Sequence, residues 1–407
     1  MCAAINEKYN KNAPRAGHLS DETDETASGA GPAGIVREMR VCIDALPLLV
    51  RSAGVKNYLY YWIAHLRRLA GEDAIRLFPP LGRLGTLDHQ RSLAGPLRTF
   101  AGLAGLAAAN YTPLPLAAWM SAGAGVFHTT NLLRRPPRSA RLTTTLHDVT
   151  VWLMPELHSQ ANLRADRAFV RTLQAADGVI AVSASTKCDA VRVLGLDERK
   201  ITVIHSGVAD AFFQVAPEAL EAARRAYRLE RPYVLFLGTI EPRKNVGTLL
   251  DAWEGLPASF RQEFDLVVAG PAGWAEAGLM ARLRQPVPGV RYLGYVAEEH
   301  LPGLTAGGAV FVYPSLYEGF GFPVAQAMAA GTPVVTSRHS SLAEIAGDAA
   351  RLIDPRSPAE LGAALRNLLG SPEARRGFSE AGRIRAQAFR WERCARQSLE
   401  FFRGIAG

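Results

Sequence analysis

The chain has 407 residues, 48% hydrophobic and 21% charged, with a formal net charge of +8. That composition describes a globular protein of ~2–3 domains with ample core. The positive balance suits acidic ligands or an anionic membrane surface, but no Lys/Arg block interleaves with aromatics, so nucleic acid is not an expected partner.

Residues 1–38 read as a disordered tail, dominated by Asn, Asp, Glu, Thr, Ser, Gly and Pro. No apolar core segment marks a secretory signal there. Met39 stands directly before the first strand and reads as close to the domain start. Cys2, Cys42, Cys188 and Cys394 lie far apart without a CxxC pair, so a zinc site is not expected. Scattered free thiols fit a reducing cytoplasm.

Arg40 to Ala45 suits a buried first strand. Gly54-Val55 then precedes a helix from Tyr58 to Leu69, apolar at Leu59, Trp62, Ile63, Leu66 and Leu69. Ala74 to Phe78 is a second strand. Residues 79–124 are rich in Pro, Gly and Ala and show little pattern. Within them Leu103 to Met120 is the most membrane-like stretch, but Gly105, Asn110, Pro113 and Pro115 interrupt it, and a core helix plus loop is expected rather than an interfacial segment.

Strands at Val126–His128, Leu142–Leu146, Val179–Val182 and Ile201–Ile204 follow, with a helix over 161–176 and another capped at Ser185. The strand at 142–146 ends at His147-Asp148, and the one at 201–204 leads to His205-Ser206-Gly207. His147 reads as a site residue at the cleft, while His128 and His205 read as structural; Asp148 either orients His147 or caps the next segment. After a charged helix over 216–228, strands at 233–237, 265–269, 291–293, 309–313, 333–336 and 351–353 alternate with helices. The last ~50 residues are helical, with Trp391 on an Arg-rich surface. The expected fold class is α/β, with two doubly wound parallel-sheet domains facing across a cleft: 39–212 and 231–385, with 386–407 a C-terminal helix crossing back to the first.

Two loops carry the chemistry. Gly238 to Asn245, GTIEPRKN, follows the first strand of the second domain, with Asn245 placed to cap the next helix. Arg243 offers a planar fork and Lys244 a point charge, and both suit a diphosphate; the alternative is a solvated basic turn. Tyr313 to Thr336, YPSLYEGFGFPVAQAMAAGTPVVT, reads as strand, glycine-bearing loop, helix and strand. Pro323 opens that helix and Gly331 stops it. Free N–H groups at such a loop favour an anion. Both loops lie at the same edge of one sheet.

EPRKN, GYVAEEHLPGL and the 313–336 segment resemble glycosyltransferase family 4, of the two-Rossmann GT-B fold. Gly54-Val55, His147-Asp148, the AVSAST segment from Ala181 and the HSGV turn from His205 are similar too. The resemblance covers roughly residues 39–400 and implies a retaining hexosyltransferase, mannosyltransferase-like, with GDP-mannose as the first expectation and a UDP-hexose as the alternative. It implies catalytic roles for His147, Glu318, Arg243 and Lys244. Donor-binding roles fall to Gly54, Arg243, Lys244, Tyr295, Val296, Glu318, Phe320, Gly321, Phe322 and Gln326. Arg243 and Lys244 would neutralise the diphosphate, Glu318 would meet donor-sugar hydroxyls, and Tyr295 and Val296 would line the nucleobase pocket. Position 326 departs from the family's second Glu, and Gln326 there is expected to weaken or retune the ribose contact rather than abolish the site. It also motivates a rival reading as a non-catalytic sugar-nucleotide-binding partner of a polysaccharide assembly complex. No cofactor and no metal are expected. The implied acceptor is an oligosaccharide or a lipid-linked glycan of polysaccharide or lipopolysaccharide biosynthesis. The expected location is the cytoplasm, and the basic balance permits peripheral attachment at the cytoplasmic face of the inner membrane without demanding it.

Overall fold

The computed structural model describes residues 39–407, except 53, 83, 159, 274–276 and 285–288. The expectation of a disordered tail over 1–38 lies outside the described residues. Short apolar runs form strands buried on both faces, the pattern that a helix-covered parallel sheet requires. The first sheet holds β1 (Val41–Asp44), β2 (Ile75–Phe78), β3 (Val126–Thr129), β4 (Arg141–Leu146), β5 (Gly178–Ala181) and β6 (Ile201–Val203), in the order β2-β1-β3-β4-β5-β6. The second holds β7 (Tyr233–Leu237), β8 (Asp265–Ala269), β9 (Val290–Gly294), β10 (Val310–Tyr313), β11 (Val334–Ser337) and β12 (Arg351–Ile353), in the order β12-β11-β10-β7-β8-β9. All pairings are parallel. Strand order reverses beside β1 and between β7 and β10, and ligands of doubly wound sheets bind at such reversals.

The helices that position the site are α1 (Gly54–Ala70), α2 (Pro96–Tyr111), α3 (Leu116–Met120), α4 (Gln160–Ala175), α5 (Ala184–Leu194), α6 (Val246–Glu254), α7 (Phe322–Ala330), α8 (Ser340–Ala346) and α9 (Trp391–Ala406). The chain crosses between the sheets twice. After β6 it enters the second sheet, and after residue 386 it returns, so that α9 packs on α1 of the first. Trp62 Nε1 donates to Ser398 Oγ at 2.9 Å, and the Trp62 and Phe402 rings lie 5.9 Å apart. The two crossings run side by side: Val208 N–H donates to Phe389 O at 2.8 Å, and Val208 and Arg390 form a parallel bridge.

Four expectations are corrected. Trp391 is not on the surface: it is 1% exposed, wedged between the Tyr58 and Tyr61 rings and against Gly207, where a Cβ would collide with its indole. The cap of α5 is Ser183, whose hydroxyl accepts from Thr186 N–H, rather than Ser185. The 103–120 stretch is no core helix, since α2 buries only Gly102 and Ala109, and α3 only Ala117. Cys42 and Cys394 are free and buried, but Cys188 is disulfide-bonded.

Because Trp391 fills the junction of both crossings, Trp391→Ala should cost about 3–5 kcal/mol of stability. Urea unfolding checks this, and a loss within 0–1 kcal/mol would show that the junction repacks.

Candidate functional site

The second sheet sets the site's floor. β7 and β10 are neighbours, so the loops leaving their carboxyl ends meet. From β7 the chain makes a short 3-10 turn at Pro242–Lys244, and from β10 it runs through Pro314 to Gly321 into α7. Asn245 does not cap α6 with its side chain: it adopts left-handed backbone, and its amide donates to Pro314 O and Pro355 O, at 3.2 and 2.6 Å. It ties the two loops together instead.

Arg243, Lys244 and Glu318 converge. Lys244 Nζ lies 2.5 Å from Glu318 Oε1, and Arg243 Nη1 lies 2.8 Å from Glu318 Oε2. Arg243 Nη2 also donates to Glu241 Oε1 at 2.7 Å. Ser315 Oγ and Tyr313 OH donate to Glu318 Oε1, at 2.8 and 3.1 Å. Glu241, Lys244 and Glu318 are buried. Burial alone would push the Glu318 carboxyl up, but Arg243 and Lys244 outweigh it and hold it at about 2. Burial and then the adjacent guanidinium pull the Lys244 ammonium below its ordinary value. Two cations and two carboxylates thus sum to zero where water is largely excluded. Glu241, Tyr313 and Ser315 belong to this site although the sequence did not single them out; their signal was their place beside Arg243 and Glu318 in the same two loops.

The remaining residues stand around a cleft of about 480 Å³, lined among others by Gly54, His147, Arg243, Tyr295, Glu318 and Gln326. That size suits a small-molecule site. Gly54 opens α1, and no protein atom lies within 4 Å of where its Cβ would stand, so the backbone there faces open space. Tyr295 is 45% exposed, and Val296 beneath it is buried. Phe320 is buried against Phe322, His205 and Phe389, so what the 320–322 loop can offer a ligand is chiefly backbone. Gly321 has φ +96°, a conformation that side chains disfavour, and it aims the start of α7 at the cleft. Ser206 Oγ and His89 Nδ1 line the same cleft, and both are buried without a hydrogen-bond partner among the described residues.

His147 follows β4 and faces the edge of Tyr58, with ring centroids 4.9 Å apart. Burial lowers its pKa to about 4, so it is neutral at pH 7 and offers hydrogen bonds rather than charge. Asp148 Oδ1 accepts from Thr150 N–H and Oγ at 3.0 and 2.6 Å and so caps the next turn. His128 is held between Thr143 Oγ1 and Thr145 Oγ1, at 3.1 and 3.0 Å, and burial lowers it to about 3. A smaller hollow of about 180 Å³ beside His147 is lined by His128, Asn131, Asp148, Trp152 and Asp166. Burial, with Asp148 nearby, pushes the Asp166 carboxyl up to about 6.

The two sheets meet closely across the cleft. A Cβ at Gly319 would run into the His147 carbonyl oxygen. Tyr317 OH donates to Asp189 Oδ2 at 2.7 Å, and Thr186 Oγ1 donates to Gly319 O at 3.1 Å. Glu344, on α8, accepts the first N–H groups of α5 from Ala184 and Ser185, at 2.9 and 3.0 Å. Its Oε1 also lies 2.6 Å from His205 Nε2. His205 is therefore structural in the sense of joining the two halves.

His147 and His128 bind protons in the unfolded chain near the ordinary 6.5 but in the folded protein only near about 4 and about 3. Their stabilising effect is complete above pH 6.5 and declines as pH falls through that value toward 4. Asp44 and Asp166, which burial raises to about 6, act in the opposite sense between about pH 4 and 6, so the readout is a difference between proteins: His147→Gln should change the pH dependence of the thermal midpoint over that window by about one proton relative to wild type. An unchanged slope would mean that His147 is charged in the folded state. At Gly319, Ala should hold the halves apart and raise solvent exposure of Tyr317, read by tyrosine-directed labelling. Wild-type labelling in that variant would mean that the contact yields.

Residues 53–212 match the family described as Glycosyltransferase Family 4, and residues 220–385 match Glycosyl transferases group 1. The O-antigen chain mannosyltransferase B of Escherichia coli is 32% identical over 272 residues, covering 66% of this chain and 71% of that protein. Among solved structures, a sucrose-phosphate synthase from Thermosynechococcus elongatus superposes with a TM-score of 0.68 at 22% identity, over 90% of this chain and 99% of that one. Anabaena Alr3699/HepE, solved with UDP-glucose, has a TM-score of 0.65 at 20% identity, over 90% and 100%. With its two parallel doubly wound sheets facing one cleft, the chain belongs to glycosyltransferase family 4 and is a hexosyltransferase of the GT-B fold.

Proposed function

We propose that the chain is a retaining mannosyltransferase that takes mannose from GDP-mannose and adds it to a glycan or lipid-linked acceptor in cell-surface polysaccharide or lipopolysaccharide synthesis. The observation that carries the reading is the Arg243–Lys244–Glu318 cluster at the reversal between β7 and β10, facing the Gly54 end of α1. The likeness to the O-antigen chain mannosyltransferase supports the sugar and the pathway class.

In this reading the donor's diphosphate docks on Arg243 and Lys244 and on backbone N–H groups at the start of α7. Glu318, released from the two cations, accepts hydrogen bonds from the donor sugar. The bond between the anomeric carbon and the diphosphate breaks, a bond to the acceptor oxygen forms on the same face, and the acceptor proton passes to the departing diphosphate. Negative charge on that diphosphate grows as the bond breaks, so Arg243 and Lys244 act most strongly in the transition state. They supply the positive charge, and the reading requires no metal. Neutral His147 hydrogen-bonds a sugar hydroxyl, Tyr295 and Val296 bracket the base, and Gln326 meets the ribose. A neutral acceptor there is worth about 1 kcal/mol less than a carboxylate. Gln326 also carries the rival reading, a sugar-nucleotide binder that does not turn over.

Purified protein given GDP-mannose, UDP-glucose, UDP-galactose and UDP-N-acetylglucosamine should bind and slowly hydrolyse GDP-mannose in preference. Arg243→Ala and Lys244→Ala should each lower turnover by about 10²–10³-fold, and Gln326→Glu should tighten donor binding by about fivefold. Preference for a UDP-sugar would move the donor assignment. Binding that never turns over with lipid or oligosaccharide acceptors, in wild type and in Gln326→Glu alike, would establish the non-catalytic reading.

A further inference from the structure

Helix α2 is inside out. Its buried residues are Gly102 and Ala109, while Leu97 is 81% exposed, Phe100 73% and Tyr111 71%. Positions 97, 100, 104, 107 and 111 recur at three- and four-residue spacing, so Leu97, Phe100, Ala104, Ala107 and Tyr111 form one outward stripe. Sixteen residues make that stripe about 24 Å long. Leu114, Trp119 (62% exposed) and Met120 continue the apolar surface through the turn and α3.

The orientation of α2 is fixed from below and from its ends. Gly102 sits against Leu49 and Pro79. Asn110 donates to Leu132 O at 3.0 Å and accepts from Arg134 N–H at 2.8 Å. Arg98 donates to Leu81 O at 2.8 Å, and Arg135 to Thr112 O at 3.0 Å. Rotating the helix to bury Phe100 would break these bonds.

Charge identifies the occupant. Between Asp88 and Asp148 the sequence contains no Asp or Glu, but it contains Arg91, Arg98, Arg134, Arg135 and Arg138, besides Arg141, which is paired with Asp177 at 3.2 Å. Arg98 lies on α2 beside Leu97, Arg134 lies 5.3 Å from the Tyr111 ring centroid, and Arg76 donates to Ala122 O beyond α3 at 2.9 Å. A second copy on this face would bring arginine against arginine. An anionic bilayer instead meets the arginines with lipid phosphates and the stripe with acyl chains. Tyr111 and Trp119 have the amphipathic rings that favour the boundary between the two. No helix among the described residues is long and apolar enough to cross a membrane.

We infer that the outward face of α2 and α3 docks the protein on an anionic lipid bilayer. Helix α2 follows a wall of the cleft directly in the chain. His89 lines the cleft seven residues before Pro96, and buried Lys56 pins the intervening turn through Asp88 O and Arg91 O, at 3.1 and 2.8 Å. Docking would therefore bring the first domain's side of the cleft close to the lipid surface. This deepens the reading of a lipid-linked acceptor, and only that consequence rests on the proposed transfer.

The test is flotation of the full chain with vesicles of phosphatidylcholine alone or with phosphatidylglycerol. Binding should be at least about tenfold stronger with phosphatidylglycerol and should weaken with salt. Phe100→Glu and Trp119→Glu, both at exposed positions, should lower it about tenfold or more, with unchanged thermal unfolding and unchanged slow donor hydrolysis without lipid. Arg134→Gln with Arg135→Gln should remove most of the salt dependence. No binding to phosphatidylglycerol vesicles, equal binding to both compositions, or full binding by Phe100→Glu would overturn the inference. So would a dimer in sedimentation that Phe100→Glu abolishes, since the face would then belong to a second copy. Lipid binding without donor turnover would leave docking standing and remove the transfer reaction.

Discussion

Glu318 holds two cations that belong to a different loop, and the architecture of the site follows from that junction. A carboxylate, an ammonium and a guanidinium are stable together in a drying cleft only because each compensates another. Removing Glu318 leaves Lys244 without its carboxylate partner, whereas removing Lys244 leaves Glu318 still paired with Arg243. The geometry that permits the set is the adjacency of β7 and β10, which delivers Arg243 and Lys244 from one side and Glu318 from the other. Glu241 brings the sum to neutrality, and Tyr313 and Ser315 complete the hydrogen bonding of Glu318. A dianionic group entering the cleft competes with carboxylates already in place, so affinity at this site depends on how far the resident acids give way.

The contacts between the two halves have a different character. Apart from the Phe320 ring against His205, they are polar and few-atom: a tyrosine on an aspartate, a threonine on a carbonyl, and Glu344 on the first amides of α5 with His205 beside it. Such contacts are satisfied by water when separated, so they bias the halves toward closure without locking them. Glu344 is well placed for this because the start of a helix presents unpaired N–H groups and a partial positive charge. Gly319 lets the approach become close, since any side chain there would meet the first half's backbone.

Much of this was legible in the sequence because it depends on local pattern. Strands buried on both faces read as short apolar runs, and the twelve found by pattern and by structure differ mainly at their ends. The loops GTIEPRKN and YPSLYEGFGFP were legible as an anion site because charge and glycine fall where strands end. What failed was whatever depends on the opposite side of a contact. Trp391 stands among arginines in the sequence, yet its ring lies against Tyr58, Tyr61 and Gly207, all far away along the chain. Asn245 has the right residue type for a cap, but its left-handed backbone turns the amide toward Pro314 and Pro355. In α2 the apolar content was visible, but which side faces inward is decided by Leu49 and Pro79 beneath Gly102. Ser183 and Ser185 are equally good caps by type, and the start of the helix decided between them.

The paired crossings between the sheets have a mechanical consequence. A single linker would leave one half free to swivel, twist and slide over the other. Here two strands of chain pass together, bonded from Val208 to Phe389 and keyed by the Trp391 indole behind them. They act like two pins of one door hinge: rotation about the line through both is soft, while torsion and shear would have to tear the pins apart. Two joined crossings thereby confine any opening of the cleft to a swing about that line, which keeps the Gly54 loop in register with Arg243.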